Sequence, residues 1–219
     1  MTRGGSAPAT LRDGSTDAAT TVILAHGTGA PMDSPFMTAF AHGLADAGYH
    51  VVRFEFPYMA ARREGGGRRP PDPAPVLLQA WREVIGQFKG GPLVIGGKSL
   101  GGRMASMIAD EVGIAGLICL GYPFHPPDRP ETLRIEHLKA IKTPTLILQG
   151  ERDPFGTGAE VAAYPLSSAI RLHWLKDGDH GFRPRSASGI GEHDNWGDGI
   201  AAIVRFIKDL GFLTPLKET

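Results

Sequence analysis

The chain has 219 residues, enough for one sizeable domain that buries roughly 70% of the surface of its unfolded chain. Lys and Arg together number 23, as do Asp and Glu, so no global field attracts nucleic acid or an anionic membrane, and we expect a small-molecule partner. The single cysteine, Cys119, lies in an apolar run, which predicts a buried structural thiol and leaves no intramolecular disulfide.

The first 19 residues form a polar segment rich in small side chains. They contain no apolar core of a secretory signal, and no later segment approaches the length of a membrane span, which predicts a soluble cytoplasmic protein. We expect residues 1–19 to be either a flexible tail or a short edge strand around Ala9–Leu11, and the sequence leaves both alternatives open. Residues 20–219 are predicted to form a single domain.

The first predicted unit is a strand, a loop and a helix. Thr21–Ala25 is a continuous apolar run with β-branched residues, which is typical of a strand buried on both faces. It leads into the glycine-rich loop His26–Gly29. Ser34 as N-cap and Pro35 at the first helical position then begin an amphipathic helix, which Gly48 ends.

A second unit follows, with a strand over His50–Phe56 and a helix around Val76–Phe88. The segment Arg62–Pro75 between them is rich in Gly, Pro and Arg, so it is predicted to be the least ordered internal stretch. Its arginines could steer an anionic substrate, although the composition favours a solvated, flexible loop. These arginines are Arg62, Arg63, Arg68 and Arg69.

The centre of the chain carries a short strand over Leu93–Ile95, a tight turn and a helix over Leu100–Val112. The turn contains Gly97-x-Ser99-x-Gly101, the pattern of a nucleophile elbow, in which small neighbours allow a sharp turn that exposes the serine hydroxyl. A phosphate-binding loop would need glycine five residues before Gly97, where the chain has Pro92. Ser99 is therefore the predicted nucleophile.

Strands and helices continue to alternate to the end of the chain. Such alternation predicts an α/β fold with a doubly wound, mostly parallel sheet and helices on both of its faces. The remaining predicted strands are Leu117–Leu120, Thr145–Leu148 and Ile170–Leu175, and the remaining predicted helices lie near Leu133–Ile141, Ala159–Tyr164 and Trp196–Leu210.

Reactive side chains follow the ends of these strands, where ligands bind in a sheet of this kind. Ser99 follows one strand, Asp153 a later one and His180 the last. A serine hydroxyl needs a histidine to take its proton, and the histidine needs a carboxylate to fix its tautomer. Asp128 and Glu151 are alternative acids, and Asp153 is preferred for its position.

The stretches His26–Met37 and Gly96–Arg103 carry a family resemblance. With them the chain resembles the α/β-hydrolase superfamily, in particular a small, cap-less, dienelactone-hydrolase-like subgroup with a GGKSLGGR nucleophile elbow, and the similarity extends over nearly the whole chain from Thr21. A related domain also occurs in a eukaryotic chromatin-complex subunit. Many relatives insert a cap after the fourth strand, whereas Tyr122–Pro130 leaves room only for a loop, so we expect a shallow, open site.

The resemblance implies a role for each site residue. It implies Ser99 as nucleophile, Asp153 as acid and His180 as base, with an oxyanion hole formed by backbone N–H groups. The implied donors are Leu100 and Thr28, with Gly29 as an alternative to Thr28. His26 is expected to be structural, and His193 either lines the site or has a capping or surface role at the last helix. The substrate-pocket candidates are Gly29, Lys98 and Tyr122.

The predicted function is a serine hydrolase that cleaves a small ester or thioester through an acyl-enzyme. Two alternatives remain: acyl transfer or perhydrolysis by the same triad, and a non-catalytic hydrolase-fold module that acts through protein partners. Lys98 beside the nucleophile either forms a structural salt bridge or favours an anionic substrate. The histidines show no paired metal spacing, so neither a metal nor another cofactor is expected.

Overall fold

Apolar runs form the middle of the sheet in the computed structural model, which describes residues 8–65, 67 and 69–211. Within these residues the sheet has seven strands in the order β1-β3-β2-β4-β5-β6-β7. Only β1 is antiparallel to its neighbour, and the other pairs are parallel. The strands are β1 (Thr10–Asp13), β2 (Thr21–Ala25), β3 (His50–Phe54), β4 (Leu93–Lys98), β5 (Gly116–Leu120), β6 (Thr145–Gly150) and β7 (Ile170–Leu175).

Helices cover both faces of this sheet and bury two apolar clusters against it. Trp81, Met104 and Leu138 belong to the cluster on one face, and Phe40 and Phe206 to the cluster on the other. The predicted doubly wound α/β fold is therefore confirmed. The helices are α1 (Pro35–Asp46), α2 (Pro57–Arg63), α3 (Ala74–Ile85), α4 (Leu100–Ser106), α5 (Gly158–Val161) and α6 (Glu192–Asp209), with 3₁₀ turns at Glu136–Lys139 and Ser186–Ser188.

The predicted loop over Arg62–Pro75 is wrong at both of its ends. Pro57 begins helix α2, which includes Arg62 and Arg63, and helix α3 begins at Ala74. The Arg63 side chain is held by carboxylates of Glu55 and Asp33 at 2.7 and 2.5 Å, so it is not a freely solvated charge. Arg68 lies outside the described residues.

Helix α4 is shorter than its apolar spacing predicts. It ends at Ser106 instead of continuing to Val112, because the N–H groups of Met107 and Ile108 bond to carbonyls three residues earlier, at 3.2 Å each. The segment from β5 to β6 contains no regular element besides the 3₁₀ turn Glu136–Lys139, so no cap domain covers the carboxyl ends of the strands. No helix in the described part of the chain is both long and apolar enough to cross a bilayer.

Candidate active site

Two glycines allow the strained turn that presents Ser99. Ser99 has φ 49° and ψ −109°, a conformation that non-glycine residues rarely adopt and that is characteristic of functional sites. A Cβ on Gly97 would lie 2.1 Å from the Ala25 carbonyl oxygen, and one on Gly101 would lie 2.4 Å from the same atom. Only glycine at both positions therefore lets β4 and α4 pack this closely against β2.

Asp153 and His180 are directly hydrogen-bonded. His180 Nδ1 lies 2.8 Å from Oδ2 of Asp153, a fully buried carboxylate in the loop after β6. Gln149 Nε2 donates to the same oxygen at 2.9 Å, and the Phe155 N–H donates to Oδ1 at 2.9 Å. The carboxylate accepts all three bonds, so the proton of His180 is assigned to Nδ1, and Nε2 is left as the acceptor.

His180 is suited to accept a proton near neutral pH. Burial lowers the pKa of its imidazole, the Asp153 hydrogen bond opposes that shift, and the positive charge of Lys98 adds to it. The net effect is a lowered pKa, so the ring is neutral at pH 7. The ring of Phe155 packs against the imidazole with a centroid distance of 4.3 Å, which restricts its rotation.

Lys98 connects the elbow to the segment that carries His180. Its Nζ donates to the His180 carbonyl oxygen at 2.6 Å and lies over the rings of Phe36 and Phe182, at 5.5 and 5.7 Å from their centroids. Burial lowers the pKa of Lys98 to about 8, against the opposing charges of Asp153 and Asp179. Its partner is thus a backbone carbonyl and two rings, rather than the salt bridge considered as one alternative.

Two buried side chains, His26 and Tyr58, form hydrogen bonds with the loop after β2. The Phe56 N–H donates to His26 Nε2 at 3.1 Å, so the proton of this ring is on Nδ1, which lies 2.7 Å from the Gly27 carbonyl oxygen. Burial also lowers the pKa of His26. The Tyr58 hydroxyl lies 3.2 Å from the carbonyl oxygens of both Gly27 and Thr28. His26 is therefore a neutral structural residue.

Backbone donors lie on both sides of Ser99. Leu100 is the first residue of α4, so its N–H has no partner within the helix. Thr28 and Gly29 are exposed on the opposite loop, and all three residues line the same cleft as Ser99. This placement fits the predicted oxyanion hole, and the assignment of individual donors stays a prediction.

The cleft has a volume of about 900 Å³. The structure brings Ser99, His180 and Lys98 to its walls, with Asp153 buried behind His180. Several lining residues are absent from the predicted set, namely Phe36, Arg103, Arg134, Phe155, Arg183 and Trp196. Arg103 has a signal in the sequence, because it lies four residues after Ser99 and hence on the same helical face.

Tyr122 is not a pocket residue, which corrects the prediction. Its side chain is fully buried, its ring packs at 4.9 Å from that of Phe124, and its hydroxyl donates to the Arg134 carbonyl oxygen at 2.8 Å. The neighbouring Pro123 lines the cleft instead. The core provides a partner for the hydroxyl, so the whole side chain can be buried.

The alternative acids lie elsewhere. Asp128 has a side chain that is 78% exposed and lies 3.8 Å from Arg129, and Glu151 accepts a hydrogen bond from the Asp177 N–H at 2.8 Å. His193 packs edge-on against Trp196, with a centroid distance of 5.1 Å.

Across residues 8–65, 67 and 69–211, no group of three or more His, Cys, Asp or Glu side chains is arranged to hold a metal ion.

Comparison with known proteins gives matches over most of the chain. A family model described as "Alpha/beta hydrolase domain" matches residues 18–208. Two curated relatives, both called putative protein-lysine deacylase ABHD14B, come from Rattus norvegicus and Pongo abelii. They are 28% and 29% identical over 63% and 66% of this chain. The matched region spans 64% of the rat protein and 67% of the orangutan protein.

Solved structures share the fold. A Xanthomonas campestris protein described as an a/b serine hydrolase without lid, XC6422, has a TM-score of 0.71 and 20% identity, covering 94% of this chain and 90% of that chain. A dienelactone hydrolase from Anabaena variabilis has a TM-score of 0.65 and 19% identity, covering 92% and 89%. Est1E from Butyrivibrio proteoclasticus has a TM-score of 0.67 and 12% identity, covering 91% and 94%. These matches agree with the fold predicted from the sequence.

Proposed function

The chain belongs to the alpha/beta hydrolase domain family, and we propose that it is a serine hydrolase that cleaves an acyl ester or thioester through an acyl-enzyme on Ser99. The observation that carries the proposal is the 2.8 Å bond between His180 Nδ1 and the buried Asp153 carboxylate, beside the strained elbow. A non-catalytic module has no physical need for such an arrangement. The proposed roles are nucleophile for Ser99, base for His180 and orienting acid for Asp153.

Acylation would begin with attack of Ser99 Oγ on the substrate carbonyl carbon, while His180 Nε2 takes the hydroxyl proton. Asp153 holds the Nδ1–H tautomer and stabilises the imidazolium that forms. The N–H groups of Leu100 and Thr28, or Gly29 in place of Thr28, would donate to the oxyanion. Removal of one such donor typically lowers kcat by about 10²–10³. The tetrahedral intermediate then collapses, and His180 gives the proton to the leaving group.

Deacylation repeats these steps with water as the nucleophile. His180 takes a proton from water, the hydroxide attacks the acyl carbonyl, and the Ser99 oxygen leaves and recovers its proton from His180. An alcohol or hydrogen peroxide that replaces water at this stage would give acyl transfer or perhydrolysis. The choice of acceptor therefore depends on access to the cleft after acylation.

Two kinds of acyl bond are candidates for cleavage. The 900 Å³ cleft is near the upper end of the roughly 300–1,000 Å³ range of small-molecule sites, so it is not restricted to the smallest esters. The curated relatives are called putative protein-lysine deacylases, and the amide of an acyl-lysine passes through the same acyl-enzyme. Acyl-lysine is therefore a second substrate candidate.

A fluorophosphonate probe tests the nucleophile. We expect labelling of the wild type and of Ser34→Ala, because Ser34 lines the same cleft without a side-chain capping bond, and no labelling of Ser99→Ala. Labelling that persists in Ser99→Ala, or a folded wild type that does not react, would contradict the proposal. In the second case, capture of a stable protein partner would favour the non-catalytic module.

Turnover assays then identify the bond. A short p-nitrophenyl ester, a short acyl thioester and an acetyl-lysine peptide are compared by kcat/KM, with Ser99→Ala as the background. Addition of an alcohol or of hydrogen peroxide distinguishes hydrolysis from transfer, since only transfer yields the acceptor's acyl product.

A further inference from the structure

Two arginines in the cleft have no partner for their charge in the described part of the chain. Arg103 and Arg134 are partly buried and line the cleft with Ser99. Among the described residues, neither guanidinium has a hydrogen bond or an ion pair. Other arginines of the fold, such as Arg63 and Arg82, are each bound to a carboxylate at 2.7 Å. Arg205 is also unpaired among the described residues, but it is exposed, whereas Arg103 and Arg134 are partly buried.

The described residues leave the charges of these two side chains uncompensated. Arg103 Nε is buried without a hydrogen-bond partner. Burial lowers the pKa of Arg134, and the positive charge of Arg103, which lines the same cleft, lowers it further. Partly buried like charges without a counterion carry a desolvation penalty that a bound anion would offset.

The backbone of each arginine is held by hydrogen bonds where the residue lines the cleft. Arg103 lies four residues after Ser99, about 6 Å along the axis of α4, and its backbone N–H donates to the Ser99 carbonyl oxygen at 2.9 Å. Arg134 is held by its own backbone, because its N–H donates to the Phe124 carbonyl at 2.8 Å and its carbonyl accepts from the Tyr122 hydroxyl at 2.8 Å. Tyr122 thus supports the cleft from the core.

The remaining charges of the cleft do not neutralise this pair. Glu192 is the one acidic side chain among the lining residues in the described part of the chain, and it lies 3.2 Å from Arg183. Lys98 adds a further positive charge on the same wall. The chain as a whole has a formal net charge of 0, so the positive charge of the cleft is local and is balanced by acidic residues elsewhere.

We propose that Arg103 and Arg134 form a subsite for a carboxylate that the substrate carries a short distance from its scissile carbonyl. The guanidinium fork matches the geometry of a carboxylate and can bind it with two parallel hydrogen bonds. This subsite rests on the proposed hydrolase function and names its substrate class, an anionic ester. The carboxylate belongs either to the acyl group or to the leaving group.

Paired substrates separate these two sources. Mono-p-nitrophenyl glutarate is compared with p-nitrophenyl valerate for the acyl side, and 4-carboxyphenyl acetate with phenyl acetate for the leaving-group side. The measured quantity is the ratio of kcat/KM for the anionic ester to that for its neutral partner. We expect the wild type to favour the anionic ester in one of the two pairs.

Substitutions assign the preference to the two arginines. In Arg103→Gln and Arg134→Gln we expect this ratio to fall about 10- to 100-fold, as for the loss of a charged hydrogen bond. Arg103→Lys keeps the charge without the fork and should recover part of the ratio. Arg129→Gln is the matched control, because it removes an exposed arginine of the same segment that does not line the cleft. An unchanged ratio in both Gln variants would overturn the subsite.

A binding measurement separates this proposal from the hydrolase function. Glutarate is titrated into Ser99→Ala by calorimetry, with glutaramide as the neutral control and thermal melts to verify folding. Binding of glutarate that Arg103→Gln weakens would support the subsite even if no ester is cleaved. Ester turnover without anionic preference, together with no glutarate binding, would overturn the subsite and leave the hydrolase function intact.

Discussion

Replacement of Lys98 by methionine tests two effects of the lysine charge: its effect on the stability of the fold and its effect on the pKa of His180. Methionine keeps an unbranched apolar side chain but removes both the charge and the donor to the His180 carbonyl oxygen. Burial lowers the pKa of Lys98 from 10.5 to about 8, so desolvation of the ammonium outweighs the attraction of Asp153 and Asp179. The charged lysine therefore weakens the folded state at pH 7.

The size of this effect follows from the shift. One pKa unit corresponds to about 1.4 kcal/mol, so a shift from 10.5 to about 8 corresponds to an unfavourable term on the order of 3 kcal/mol. The lost hydrogen bond to the carbonyl offsets about 1–3 kcal/mol of it. We expect Lys98→Met to be at least as stable as the wild type at pH 7 in urea denaturation.

The pH dependence of stability has a definite sign. Between pH 8 and the unfolded-state pKa of about 10.4, the unfolded chain binds the lysine proton and the folded chain does not. The free energy of unfolding of the wild type should therefore rise across this window, relative to Lys98→Met. A Met variant that is less stable than the wild type at pH 7 would refute the reasoning, because the desolvation term that the substitution removes is at least as large as the hydrogen bond that it loses.

The same substitution should change the pH profile of catalysis. The positive charge of Lys98 lowers the pKa of His180, so its removal raises that pKa. Because His180 must be neutral to act as base, the acidic limb of kcat/KM should move to higher pH in Lys98→Met and stay in place in Lys98→Arg. An unmoved limb in the Met variant, or an equal shift in both variants, would contradict the electrostatic role.

Two further predictions concern the acid and the elbow. Asp153→Asn should lower kcat by about 10⁴, because His180 loses its anionic partner. Asp128→Asn is the control and should match the wild type, since Asp128 is exposed. Comparable losses in both variants would contradict the assignment of Asp153. Gly101→Ala should lower the free energy of unfolding by about 3 kcal/mol in urea denaturation, because the new Cβ would lie 2.4 Å from the Ala25 carbonyl oxygen. In Gly29→Ala the new Cβ has no atom within 4 Å, so the free energy of unfolding should change by less than about 0.5 kcal/mol.

The sequence predicted the central strands and the order of the candidate triad because both depend on local patterns. Continuous apolar runs mark buried parallel strands, and the residue after each run lies at the ligand-binding edge. Ser99 needs only its flanking glycines to be recognised. The contact between Asp153 and His180 follows from β6 and β7 being neighbours in the sheet, which chain order alone makes probable for consecutive strands.

The features that the sequence did not predict depend on tertiary contacts. Helix α2 is short, and it is stabilised by Tyr58, whose hydroxyl bonds to the loop after β2, and by Arg63, which bonds to Glu55. No periodicity marks such a helix. Arg134 lines the cleft in a segment that folds back on itself through the bond from the Arg134 N–H to the Phe124 carbonyl oxygen, and that contacts α4 where His137 lies 2.8 Å from the Ser106 hydroxyl. The same segment supplies the carbonyl oxygen that accepts the hydrogen bond of the buried Tyr122 hydroxyl.

Lys98, Arg103 and Arg134 share one property, a positive charge in the cleft without a matching carboxylate among the described residues. All three are cations that the surrounding protein compensates incompletely: the lysine binds a carbonyl and two rings, and the arginines bind nothing among the described residues. Each therefore carries a desolvation penalty that the described residues do not fully offset. The same field would favour an anionic substrate and the oxyanion formed from it, because attraction to negative charge grows as water is displaced from the cleft. A bound anion would offset the penalty of the two guanidiniums, so we expect substitution of Arg103 or Arg134 to affect substrate selection more than folding.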